Sequence, residues 1–227
     1  MLATTAALGR PRSFASVQDA DRGSPHEDLG SAGLTVPGAA LYRLAAAAGA
    51  GSALVLLVNA AKRSRIIATT DLTQLFAPVA EILALGFAIG LFLAAGRRAG
   101  LFGVVAFVSH FIALASLEGV EVVINLVFSK LPVETIAELR GGPLGLVLTV
   151  TSLLFLFSSL AFVISLVVSR SVPRVPLALY AIGAAPISLR AFLPEWALDL
   201  GLVTLAAGIA WLAGWLWTRA GASTAQT

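Results

Sequence analysis

Six times between residues 39 and 218 the chain runs through an apolar stretch of about 20 residues, the length a helix needs to cross the roughly 30 Å hydrocarbon core of a bilayer. The stretches fall at about 39–61, 72–95, 100–128, 144–168, 175–193 and 197–218. Composition points the same way. Of 227 residues, 58% are hydrophobic and 12% charged, against about a quarter charged in an ordinary soluble domain. The expected fold class is all-α: a polytopic transmembrane helical bundle of six spans, preceded by a disordered N-terminal tail. The solvent of the fold is lipid, so the bilayer is its first partner.

Residues 1–37 carry Arg10, Arg12, Asp19, Asp21, Arg22, His26, Glu27 and Asp28 among Ser, Gly and Ala. Without an apolar period they cannot offset chain entropy and are expected to form a polar tail. Residues 2–8 are too short an apolar run, interrupted by Thr4 and Thr5, for a cleaved signal, so the first span is expected to be retained. Residues 220–227 read as a C-terminal tail. Between spans three and four, Pro132 can open a short interfacial helix and Gly141-Gly142 can close it. Gly86 and Gly90, Ala45 and Gly49, and Ala206, Ala210 and Gly214 place small residues four apart, which predicts close helix contacts, chiefly within the chain.

The net charge of +3 does not imply nucleic acid, because the basic residues stand singly or in twos and threes with no basic stripe. They set topology instead. With the N-terminus cytoplasmic, that side holds Arg10, Arg12, Arg22, Arg43, Arg97, Arg98, Arg170, Arg174 and Arg219, against Lys62, Arg63, Arg65, Lys130, Arg140 and Arg190 opposite. The arginine-rich, Ala/Leu/Gly-rich composition suggests a bacterial source, so the expected place is a bacterial inner membrane with both termini cytoplasmic.

Ionisable groups inside a span cost about 2.5–3.5 kcal/mol on insertion scales and are functional candidates by default. At 100° per residue His110, Glu118, Glu121 and Asn125 fall within an arc of about 80° on span three. Counted back from the turn at Arg97-Arg98, Glu81 of span two lies level with residues 115–116, close enough in height for Glu81, His110 and Glu118 to share a pocket. Arg190 is the expected cation, with Glu195 and Asp199 a turn further on. Glu81, His110, Glu118 and Arg190 are thus candidates for chemistry, and Glu121, Asn125, Asp199 and Trp211 for binding a substrate. Trp196, Trp215 and Trp217 read as an interfacial belt. No cysteine is present, and the sequence has no G-x-S-x-G, H-E-x-x-H, P-loop or G-x-G-x-x-G motif. No metal and no cofactor is therefore expected.

Leu41-Tyr42-Arg43 at span one, Val79, Glu81, Ile82 and Leu83 within 76–83, the turn Arg97-Arg98-Ala99-Gly100-Leu101, and Ser-Arg-Ser-Val-Pro-Arg-Val-Pro-Leu-Ala at 169–178 form an ordered set. Over about residues 39–218 the chain resembles a family of small six-span bacterial membrane proteins known only as a domain of unknown function. Where members of that family carry Arg and Glu early in span three, this chain has Ser109-His110. The resemblance implies a fold and a membrane location and no activity. Three functions then compete. The first is an accessory or structural multi-pass protein with a buried polar cluster. The second is an acid-catalysed enzyme on a lipid-soluble isoprenoid, with Glu81 or Glu118 donating a proton and Trp211 facing a carbocation. The third is a proton-coupled transporter, although the two halves of the chain show no repeat.

Overall fold

A computed structural model describes residues 38–224; the expected tail at 1–37, with His26, lies outside the described residues, as do 225–227. Among the described residues the chain is helical, with no strand. Helix α1 spans Gly38–Arg63. The second apolar stretch is not one helix. Pro78 supplies no N–H, so α2, Asp71–Phe76, stops before it and α3, Val79–Ala95, starts after it. Thr70 caps α2 through a reciprocal pair with Thr73: its hydroxyl accepts from the Thr73 amide at 3.2 Å, and the Thr73 hydroxyl accepts from the Thr70 amide at 2.9 Å.

The reversal after α3 is made at 96–100, where Gly96 and Gly100 adopt φ of +57° and +60°, a left-handed conformation that costs glycine least. Helix α4 runs Gly100–Val122 and then widens into a π-turn, Val123–Val127, and a 3-10 turn, Phe128–Lys130. Helix α5, Val133–Gly141, lies between Pro132 and Gly142. Helix α6 is Pro143–Ser169, α7 is Arg174–Ser188 and α8 is Glu195–Thr224. Two expected bounds change. Span five, read to 193, ends at Ser188, two residues past Pro186, through which the helix continues, and Pro194 disfavours helix at Leu193. Helix α8 continues to Thr224, into the expected C-terminal tail.

Four segments are long and apolar enough to cross a membrane: Gly38–Arg63, Asp71–Lys130, Pro143–Ser169 and Glu195–Gly221. The second has 60 residues and contains the glycine reversal, so it folds back on itself. Helix α7, with 15 residues, is about 22 Å long.

Small residues fix two antiparallel pairs. In the α1–α3 pair a Cβ at Gly90 would overlap Ala45, one at Gly49 would press on the Phe87 ring, and one at Gly86 would lie 3.6 Å from Ala48. The spacing read at 45/49 and 86/90 is therefore an intramolecular seam. The third stripe is only partly so. Ala206 is buried, whereas Ala210 and Gly214 are exposed and a Cβ at Gly214 would meet nothing within 4 Å. Helix α8 instead meets α7 through Gly201 and Gly208, and through Gly183 of α7, whose added Cβ would overlap the Leu205 backbone. Phe87, Leu91, Phe155, Phe162, Leu177, Leu212 and Leu216 fill the centre. Phe92 stacks on Phe107 at 4.4 Å between ring centres.

Candidate functional site

Antiparallel packing sorts the charges by end. Asp71, Glu81, Glu118, Glu121, Glu134, Glu138, Glu195 and Asp199 lie toward the end where α1 stops and α8 begins, together with Lys62, Arg63, Arg65, Lys130, Arg140 and Arg190. These are all the carboxylates among the described residues. The opposite end holds Arg43, Arg97, Arg98, Arg170, Arg174 and Arg219.

At the carboxylate end the pairs cross between helices. Lys62 ends α1 and donates to the Asn125 side-chain oxygen at 2.9 Å and to Gln74 of α2 at 3.1 Å. Asn125 sits in the π-turn, and its amide donates to the Glu121 carbonyl at 3.0 Å and carboxylate at 2.8 Å. The extra backbone residue of a π-turn re-aims side chains, and such turns favour functional sites. Arg190, in the turn after α7, reaches the other Glu121 oxygen at 3.3 Å. Arg63 bonds Glu195 and lies 3.4 Å from Asp199, which also accepts from Ser64 at 2.9 Å. Glu195 and Asp199 therefore belong to Arg63 of α1, not to Arg190. Lys130 pairs with Asp71 at 2.6 Å on the exposed rim.

Inside this network is a cavity of about 90 Å³. Its polar lining comes from Ser52, Asn59, Lys62 and Arg63 of α1, Glu81 of α3, Glu121 and Asn125 at the end of the third stretch, Tyr180 of α7, and Arg190. Leu114, Leu117, Phe155, Leu202, Leu205 and Ile209 form much of the apolar wall. Glu81 stands in the first turn of α3 and is 8% exposed. Its position follows from Pro78, because the broken ladder gives the carboxyl a helix N-terminus, where partial positive charge accumulates. Three buried oxygens of the lining have no hydrogen-bond partner: Glu81 Oε2, Asn59 Oδ1 and Ser52 Oγ. Arg63 Nε on the same lining also makes no hydrogen bond; buried polar groups are ordinarily satisfied, so four such atoms on one cavity mark it as a place for water.

The expected pocket of Glu81, His110 and Glu118 does not form. His110 is fully buried, with Nε2 2.9 Å from the Tyr180 hydroxyl and Nδ1 3.4 Å from Ser159 Oγ. Its ring lies between Phe155 and Phe162, at 5.9 and 5.0 Å between ring centres. Glu118 is half-buried and lines neither this cavity nor the neighbouring one. The shared arc is real, but His110 and Glu121 are separated by about 16 Å of helical rise, and α4 meets different neighbours at the two heights. Tyr180 is the link between them, touching His110 and lining the Glu81 cavity. Trp211 is 54% exposed on the outer face of α8 and approaches no cavity, so it faces no substrate site here.

Sequence reasoning missed Lys62, Arg63, Asn59, Ser52 and Tyr180 as parts of the site. Asn59 and Ser52 are seven apart, two helical turns, and Lys62 follows Asn59 by three, so a polar stripe on α1 was available as a signal. A second cavity of about 310 Å³ adjoins the first, sharing Arg63, Ile124, Arg190 and Leu198 as a common wall. It lies between the end of α4, Arg140 of α5, the first turns of α6 and the turn after α7. Among the described residues no cluster of three or more His, Asp or Glu side chains is placed to hold a metal ion. No family model matches the chain, and no curated protein or solved structure matches it either.

Proposed function

We propose that the protein is a six-pass membrane protein of a bacterial inner membrane, both termini cytoplasmic, in which Glu81 takes up and releases a proton in the coupled transport of a small solute. Six passes follow if the glycine reversal divides the 60-residue segment into two crossings and α7 makes a short fifth one. A crossing of about 22 Å is accommodated by local thinning of the bilayer. The observation that carries the proton reading is the unpartnered Glu81 oxygen, buried on a cavity beside the unpartnered oxygens of Asn59 and Ser52. A carboxyl retained only to tie helices would have a partner. A cavity of about 90 Å³ has room for several waters, enough to hydrate all three oxygens. The charged and titratable groups around it are Lys62 and Arg63 from α1, Glu121 from α4, Tyr180 from α7, and Arg190.

The test is proton movement into vesicles reconstituted with the full chain, read by an enclosed pH dye under an imposed membrane potential. Native vesicles should exceed empty ones. Glu81→Gln should bring the flux down to the empty-vesicle level while the purified variant keeps its unfolding temperature. No flux above background in the native protein, or full flux in the variant, would overturn the reading.

A second reading, an accessory protein whose polar groups hold helices together, is favoured by the chain Lys62–Asn125–Glu121–Arg190 and by the His110–Tyr180 contact. Catalysis on an isoprenoid draws less support. The Glu81 cavity is well below the roughly 300 Å³ at which ligand pockets begin, and Trp211 lies outside it.

A further inference from the structure

The larger cavity carries a different chemistry. Its lining holds three cations, Arg63, Arg140 and Arg190, with Glu195 the one carboxylate. Val120, Leu148, Leu153, Phe192 and Leu198 form apolar walls. At about 310 Å³ it falls at the lower end of the range of small-molecule pockets. The three guanidinium groups are not equivalent. Arg63 is engaged by Glu195 and Asp199, and Arg190 by Glu121. Arg140 has no carboxylate partner among the described residues and lies over the Phe128 ring, 5.4 Å from its centre. Its backbone is held in place as well: a Cβ at Gly145 would overlap the Arg140 carbonyl, so the end of α5 is seated on the first turn of α6 because residue 145 is glycine.

We propose that this cavity binds an amphiphilic anion, a carboxylate or phosphate head on a short apolar body, with the head on Arg140 and Arg190 and the body along Leu148 and Leu153. Guanidinium forks suit both head groups, since each accepts two parallel N–H bonds. An arriving head competes with Glu121 for Arg190, and Arg190 also lines the Glu81 cavity. The anion therefore alters the charge facing Glu81. This deepens the carrier reading by naming the class of its solute, and it rests on that reading for transport but not for binding.

Equilibrium binding of radiolabelled octanoate to the full chain in phosphatidylcholine nanodiscs tests it. Saturable binding is expected, displaced by excess octanoate and not by octanol. Arg140→Gln, at an exposed position where folding is not at stake, should weaken binding about tenfold, the value of one charge-assisted hydrogen bond. Ser152→Leu, which narrows the cavity without touching an arginine, should weaken it as well. Nanodiscs of phosphatidylglycerol separate the two sources of such an anion. Loss of octanoate binding there identifies a resident lipid head group at the same arginines, and unchanged binding identifies a free organic acid. Octanoate binding is read at equilibrium with no proton gradient, so saturable binding by a protein that shows no proton flux separates failure of the proton reading from failure of this one. No saturable binding in phosphatidylcholine, equal displacement by octanol, or native affinity in Arg140→Gln would overturn the proposal.

Discussion

The two ends of the helical bundle carry the same described cations in number and use them differently. At one, Arg43, Arg97, Arg98, Arg170, Arg174 and Arg219 stand with no carboxylate of the described chain near them; Arg219 donates to the Ser171 carbonyl at 3.3 Å and lies over the Trp215 ring. At the other, Lys62, Arg63, Lys130 and Arg190 are bound into a network with Glu121, Asn125, Glu195, Asp199 and Asp71. Unpaired arginines at a helix end are topology determinants, which act by staying on one side of the membrane. Paired cations around cavities are parts of a site. The difference teaches that a lysine and arginine count alone merges two populations with separate roles.

The widest separation between the ends is in access, and the absence of cysteine makes it measurable, because every introduced thiol is the sole target. A membrane-impermeant maleimide should label Ile67→Cys, in the exposed turn after α1, in intact cells, and should label Ala99→Cys only after lysis. Equal labelling of both in intact cells would break the proposed orientation. Next in size is loss of a cation from the network. Arg63→Gln leaves Glu195 and Asp199 without their cation, Asp199 keeping only the Ser64 hydroxyl; discounted for partial exposure, this should cost about 1–2 kcal/mol, read as a lower unfolding temperature in detergent.

Asn125→Ala removes the acceptor for Lys62 and the donor to Glu121 and should cost about 1 kcal/mol or slightly more. The smallest effect belongs to the other end. Arg97→Gln, exposed and unpaired with any carboxylate, should change stability by less than about 0.5 kcal/mol. If Arg97→Gln proves as costly as Arg63→Gln, the distinction between the ends fails. Salt sharpens the same comparison. At 1 M the screening length falls to about 3 Å, so native stability and that of Arg63→Gln should converge, while native and Arg97→Gln stay together throughout.

Much of the helical framework was legible in the residues. Apolar runs of fixed length located the long helices, Arg97-Arg98 marked the reversal, Pro132 and Gly142 bounded α5, and Gly86 and Gly90 announced a seam that α1 fills. The departures have local causes. Pro78 broke a helix that hydropathy reads as continuous, because a sliding apolar count is blind to a missing N–H. The candidate site was less legible. Angular arithmetic on one helix put His110 with Glu118 and Glu121, but what a side chain meets depends on the neighbouring helix at its own height.

By itself, then, the sequence determined the solvent of this fold, because burial of an apolar surface is a sum over composition that needs no coordinates. It also determined which few polar residues would be costly to place in that solvent. Only the tertiary structure decided their company: His110 with Tyr180 and Ser159, Arg63 with Glu195 and Asp199, Lys62 with Asn125, and Glu81 with unpartnered oxygens around a cavity. The reason is physical. Lipid exerts little preference among the ways apolar helices can be rotated, so the pairing is chosen by close packing at Gly49, Gly90, Gly183 and Gly208, and those contacts fix the rotation that brings each polar side chain to its neighbour.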